Sequence, residues 1–361
     1  MQKKYTVVDL FAGVGGLSYG FSHNDNFEII FANEYDKNIA KAYSLNHTTV
    51  KIFDCDIKEL TEQNINKIIK EPIDIVVGGP PCQSYSTLGK RQNDERAVLF
   101  KEYCRILKIL QPKIFIFENV KGMLSMNKGN LFNQIKQTFT SIGYEIQNKI
   151  LNSAEYGVPQ IRERVFIVGT KSKNTFEYPL QTHGDNKAGL KPFVSLKDAI
   201  SDLPILESGE TLNEYQGEPQ NEFQQFVRDT TILTENTSPK NGELLIKIMK
   251  SLSDGGNKND LPSELKPKSG YGNTYAKLWW NKPVPTVTRN FACASSSRCI
   301  HPRDSRALTT REGARLQSFP DSYKFYGSVA TKNLEIGNAV PPLLSIALTN
   351  SVLDYLQKEN K

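Results

Sequence analysis

Through the first 170 positions, short apolar runs end in polar or glycine-rich clusters and alternate with stretches of helical periodicity. Residues 5–10 run into Phe11-Ala12-Gly13-Val14-Gly15-Gly16, which predicts a strand, a glycine turn and a helix through Phe21. A second run, 28–32, ends at Asn33-Glu34-Tyr35-Asp36, and a third ends at Asp54-Cys55-Asp56-Ile57. The fourth, 73–77, enters Gly78-Gly79-Pro80-Pro81-Cys82-Gln83-Ser84. The fifth, 113–117, ends at Glu118-Asn119-Val120, and runs at 144–151 and 160–169 follow. Helices are predicted at 58–70, about 130–142 and 98–110, where Leu99, Tyr103, Ile106, Leu107 and Leu110 keep the helical period. This alternation predicts an α/β protein with a doubly wound, mostly parallel sheet.

From about Phe176 the rhythm breaks into Pro, Gly, Asn and Ser for a hundred residues, with one short helix near 243–252. Helical patterning returns at 309–317 and 343–356, around Gly337-Asn338-Ala339-Val340-Pro341. Three segments are expected: 1–175 as a catalytic and ligand-binding domain, 176–325 as a second, smaller, irregular domain with its hinge, and 326–361 returning to the first. At 361 residues one core plus a smaller one is the natural division.

Charge placement adds to this picture. Between Lys266 and Arg315 stand ten Lys or Arg against two acids, so that segment carries +8 of a net charge of +6. Residues 198–224 hold seven acids and no Lys or Arg. A basic stretch facing a polyanion and an acidic one turned away is the expectation. The first residues lead into a strand without a cleavage pattern, and no apolar run reaches the ~20 residues of a membrane span; a cytoplasmic protein is expected. Five scattered cysteines and four histidines support neither a disulfide framework nor a metal site.

In a doubly wound sheet the first and fourth strands are neighbours whose connections diverge, opening a crevice at their carboxyl ends. The glycine turn and the Cys82 loop should therefore face one another. Glu34, 21 positions after Gly13, suits an acceptor for ribose hydroxyls. The fifth strand would bring Glu118 to the same rim. A carboxyl desolvated there holds a proton more tightly. Arg162 and Arg164, two apart, would point to one side if extended. Cys82 is the one nucleophile of its loop, and a thiol with an ordinary pKa of about 8.5 needs help to ionise. The prolines fix the backbone before it and leave the amides after it free.

These motifs together closely resemble the bacterial-type DNA (cytosine-5) methyltransferases: Asp9–Gly16, Glu34, Asp56-Ile57, Gly79–Ser84, Glu118–Val120, Gln160–Arg164, Arg311–Pro320 and Gly337–Pro341. The resemblance implies the S-adenosylmethionine-dependent methyltransferase fold with a target-recognition domain in the variable interval. It implies Cys82 adding to cytosine C6, Glu118 at N3, and Arg164 at the base carbonyl, supported by Arg162 and Gln83. The S-adenosylmethionine pocket would take Phe11, Ala12, Gly13, Gly15, Gly16, Glu34, Tyr35, Asp56, Ile57, Pro81, Leu99, Asn338 and Val340. Double-stranded DNA would be the partner, its target nucleotide extruded, with contacts from Ser84, Lys90, Arg91, Arg289 and Arg298. A monomer paired with a restriction endonuclease is the implied setting. Cys55 and Ala97 stand where the family often has glycine, which predicts altered packing rather than lost activity. Rival readings are a tRNA cytosine-5 methyltransferase of the same fold, whose Cys-Phe-Thr tripeptide does not occur here, and an inert DNA-binding relative.

Overall fold

The computed structural model describes residues 3–81, 95–172, 174–185, 188–267 and 273–359, with backbone alone at 95–98. The chain forms two compact units: 1–152 with 163–180 and 344–361, and 153–162 with 181–343.

The first unit is built on seven strands: β1 (Tyr5–Leu10), β2 (Phe27–Asn33), β3 (Lys51–Phe53), β4 (Ile75–Gly78), β5 (Ile114–Val120), β6 (Glu145–Asn152) and β7 (Glu163–Thr170). Their order is β3-β2-β1-β4-β5-β7-β6. All pairings are parallel except those of β7, which runs against both β5 and β6. The order reverses between β1 and β4, so the switch point lies at Leu10 and its partner Gly78. The central strands β1, β4 and β5 are buried on both faces along most of their length, which is why they read as apolar runs.

Helices α1 (Ser18–Ser22), α2 (Lys37–Asn46), α3 (Glu62–Asn66), α4 (Glu95–Leu110) and α5 (Asn130–Ser141) follow the first five strands. One face packs Val8, Leu10, Phe31, Phe115 and Phe117 against Tyr103, Ile106 and Leu107 of α4 and Ile135 and Phe139 of α5. Phe115, Phe117, Tyr103 and Phe139 interlock mainly edge to face, with centroids 4.6 to 6.2 Å apart. The adjacent residue of β2, Ala32, joins Ala12 and Tyr43 in a separate cluster, as strand alternation requires. The expected helix over 58–70 is broken. Asp56 caps one 3₁₀ turn, Ile57–Glu59, in a capping box, and Thr61 then caps the five-residue α3; two caps in succession end the first turn and restart the chain.

The second unit holds less regular structure. It contains α6 (Leu196–Ile200), α7 (Glu222–Val227), α8 (Glu243–Ser251), the short parallel pair β8 (Ala276–Lys277) and β9 (Arg298–Ile300), α9 (Thr310–Leu316) and α10 (Val329–Asn338). One apolar cluster gathers Ile248, Met249, Leu252, Leu261, Cys299 and Ile300. Beside it lie buried ions. Arg315 engages all five donors, with Asp202 at 2.5 and 3.1 Å, Asp321 at 3.0 and 2.6 Å, and the Ala199 carbonyl at 3.0 Å. Arg306 does the same with Asp304, Glu312 and the Ala307 carbonyl. Arg306, Arg311 and Arg315 are at most 1% exposed.

This corrects the expectation drawn from charge. The basic stretch is no continuous polyanion face, because three of its arginines are sealed against carboxylates. Asp202, from the acidic stretch, is one of the partners. Guanidiniums outside water must be paired, and long-range folding supplies the acids.

The last helix, α11 (Pro342–Glu359), returns to the first unit from Leu344 onward. By length and composition 329–359 would pass for a membrane span. The backbone leaves helix at Ala339, however, and Pro341 and Pro342 follow; over half of the apolar window is buried in the protein.

Candidate active site

The glycine turn leaves β1 through three positive φ angles, 55° at Phe11, 56° at Gly13 and 92° at Gly15. Glycine takes such angles freely; Phe11 does so at a cost of about 1–3 kcal/mol. The Ala12 N–H donates to the Asn33 carbonyl at 2.9 Å, fixing the turn against the end of β2. A Cβ built on Gly13 would meet nothing within 4 Å, so the turn has an open side.

Glu34 ends β2 beside it. Its two carboxylate oxygens accept from the Gly13 and Asp36 amides, each at 2.9 Å. Burial pushes its carboxyl above the usual range, against the pull of these amides. Tyr35 is 73% exposed. At the end of β3, Asp56 accepts from the Lys58 amide at 3.0 Å, and Ile57 is buried in the core. Leu99, on α4, packs against the same core. Turn, Glu34, Tyr35, Asp56 and Ile57 thus succeed one another along the carboxyl edge of β1, β2 and β3.

The chain after β4 is fastened to the end of β5. A Cβ on Gly79 would lie 2.8 Å from the Glu118 carbonyl and 2.9 Å from its carboxylate, so only glycine allows this approach. The Asn119 amide donates to the Pro80 carbonyl at 3.0 Å. Pro81 is exposed. Cys82, Gln83, Ser84, Lys90 and Arg91 lie outside the described residues.

Across the antiparallel β5–β7 pair, Val120 faces Arg164. Arg164 Nε reaches Glu118 Oε1 at 3.1 Å, with the side chains 15% and 16% exposed. The carboxyl expected in apolar surroundings therefore has a guanidinium beside it.

Arg162 immediately precedes β7, and its carbonyl accepts from the Ser153 amide at 2.9 Å. It is buried within the second unit and donates to the carbonyls of Val287 at 3.1 Å and Gly337 at 3.0 Å. Gln160, which sequence reasoning passed over as a site residue, is equally built in. Its amide bonds Leu316 O, Gln317 Oε1 and the Val287 N–H. Its place at the head of the Gln160–Arg164 motif was the signal available.

Asn338 and Val340 stand at the end of α10 in the second unit, Asn338 exposed and Val340 buried. Gly337 before them is required: a Cβ there would strike the Arg289 amide at 2.4 Å. Arg289 itself is exposed. Arg298 is half-buried, donates through Nη1 to the carbonyls of Gly255 and Lys277, and stacks 4.1 Å over Trp279.

A seven-stranded sheet with one reversed strand, a glycine turn at its switch point and an ion pair on the same edge define a methyltransferase fold. The solved structure of a protein described as a prophage-encoded DNA modification methyltransferase (E. coli) superposes with a TM-score of 0.79 at 26% identity, over 98% of this chain and 100% of that one. The sequence model of the C-5 cytosine-specific DNA methylases matches residues 5–354, and the chain belongs to that family as a DNA cytosine-5 methyltransferase. It is 35% identical to Type II methyltransferase M.DdeI of Desulfomicrobium norvegicum, over 98% of this chain and 90% of that protein. It is also 34% identical to Type II methyltransferase M.NgoFVII of Neisseria gonorrhoeae, over 97% and 87%.

Proposed function

We propose that the enzyme methylates C5 of a cytosine extruded from duplex DNA, through a covalent bond between Cys82 and C6, with S-adenosylmethionine as donor. The observation that carries this is the Glu118–Arg164 pair, held at the rim where Gly79-Pro80-Pro81 lead to Cys82.

The residues of the glycine turn fit the donor. Its open side would admit the methionine portion at Phe11, Ala12, Gly13, Gly15 and Gly16. Glu34 offers carboxylate oxygens to ribose hydroxyls. Asp56, Tyr35, Ile57, Pro81 and Leu99 would surround the adenine, and the family resemblance would add Asn338 and Val340. When bound, S-adenosylmethionine supplies a methyl group on a cationic sulfur, an electrophile for a carbon nucleophile.

Cytosine C5 is a poor nucleophile until electron density is pushed into it. The Cys82 thiolate adds to C6, and the electron pair of the C5–C6 bond moves toward N3, which takes a proton from Glu118. Arg164 leaves Glu118 for the base carbonyl and steadies the charge there, with Arg162 and Gln83 in support. After methylation N3 gives its proton back to Glu118, and loss of the C5 proton expels the Cys82 thiolate and restores the ring. Extrusion costs a few kcal/mol, to be offset by contacts from Ser84, Lys90, Arg91, Arg289 and Arg298. The Type II names of the relatives support a restriction–modification setting with a partner endonuclease; a monomer in a bacterial cytoplasm is the reading proposed with it.

Bisulfite sequencing of plasmid DNA exposed to the enzyme should show 5-methylcytosine within one short sequence. Duplex DNA with 5-fluorocytosine there should trap a covalent adduct with wild type and none with Cys82→Ala. Methylation of tRNA with no mark on DNA, or turnover by Cys82→Ala, would overturn the proposal.

A further inference from the structure

We propose that Asp9 and Ser18, braced by Tyr43, form a latch across the neck of the glycine turn that presets its shape for the methyl donor. The inference rests on the S-adenosylmethionine reading above.

Asp9 lies in β1 just before the turn, and Ser18 is the first residue of α1 just after it. The Ser18 hydroxyl donates to the Asp9 carboxylate, closing a loop that contains Phe11, Gly13 and Gly15 with their positive φ angles. Tyr43, from α2, donates its hydroxyl to Ser18 Oγ at 3.2 Å. All three residues are at most 1% exposed, so none can touch a ligand on the open side of Gly13. They are positioning residues.

The rest of the turn is held independently. Glu34 anchors the Gly13 amide. Behind α1, Ser345 of α11 accepts from the Gly20 amide at 2.9 Å and donates to the Leu17 carbonyl at 2.5 Å. A backbone with a non-glycine residue at positive φ persists only when its surroundings over-determine it. The latch supplies the restraint at the neck.

The groups facing Asp9 give the latch an electrical signature. Burial pushes its carboxyl up to about 7, the Ser18 bond opposes this, and the charge of Glu34 adds to it. His47, stacked on Tyr43 with ring centroids 4.3 Å apart and facing the Gly15 backbone, is pushed down to about 4 by burial and by His23. It is therefore neutral. A cation entering the site favours ionised Asp9, so binding releases a proton and affinity rises with pH through this range. S-adenosylhomocysteine, with a neutral sulfur, lacks that charge.

Titration calorimetry of the full chain with both ligands between about pH 6 and 8 tests the proposal. Tyr43→Phe and Ser18→Ala should each weaken both ligands about fivefold, the equivalent of one hydrogen bond of about 1 kcal/mol. Wild type should gain affinity with pH for S-adenosylmethionine more than for S-adenosylhomocysteine, and Asp9→Asn should remove that difference. Folded Tyr43→Phe and Ser18→Ala with unchanged affinity, or Asp9→Asn with the pH difference intact, would overturn the latch. Wild type binding neither ligand would instead overturn the donor reading on which it rests.

Discussion

Two sets of arginine–carboxylate pairs in this chain have the same chemistry and opposite uses. In the first unit, Glu118 and Arg164 meet at 3.1 Å and keep about 15% of each side chain in water. In the second, Arg315 and Arg306 spend every donor on partners that are almost wholly buried. A pair left partly wet can separate and re-form around a substrate. Charges sealed with all their partners cannot, because either one alone would be stranded without solvent. The first unit leaves such a pair at its rim; the second seals its ions among buried apolar side chains such as Leu203, Val227 and Phe319.

The largest effect expected from this contrast is on rate. Glu118→Gln should lower kcat by about 10²–10⁴, the range for loss of a general acid, with little change in the denaturation midpoint. A stability loss like that of the buried clusters would erase the distinction. Next comes Arg315→Ala, which leaves Asp202 and Asp321 without their shared cation and should cost about 3–5 kcal/mol of unfolding free energy, read by denaturant titration. A near-neutral result would show that the cluster is solvated.

Acid sharpens the same comparison. Burial alone would push the Glu312 carboxyl up, but Arg306, His301 and the Thr309 amide outweigh it and hold the value at about 2, below its ordinary 4.5. The folded value is the lower one, so this stabilisation is complete above 4.5 and fades as pH falls toward about 2. Glu312→Gln should flatten that part of the stability curve, measured by unfolding at stepwise lower pH. The smallest effect belongs to exposed cations. Arg303→Ala, which removes a guanidinium stacked 4.2 Å over Trp280, should barely move stability. It should reduce the salt slope of DNA binding by about one if the arginine meets a phosphate.

Much of the first unit was legible because its signals are local. Apolar runs ending in glycines, prolines or acids placed the strand ends, and the doubly wound rule made β1, β4 and β5 neighbours, as they are. Glu118 at the end of Ile-Phe-Ile-Phe was legible as a rim residue for the same reason. The burial of Arg162 against the Val287 and Gly337 carbonyls was not, since those partners lie more than a hundred residues away in the chain. The helix expected over 58–70 failed because two capping side chains outcompeted an amphipathic pattern.

By itself, then, the sequence determined the order of strands and turns, the residues at their carboxyl ends and the family to which they belong. Periodicity and turn chemistry act between near neighbours in the chain. Tertiary structure decided which charges remain available. Arg315 finds Asp202 across more than a hundred residues, and Glu118 finds Arg164 only through the reversed strand. A charge count along the chain holds no information about either, because the electrostatic fate of a side chain is set by what folding brings beside it and by how much water it leaves there.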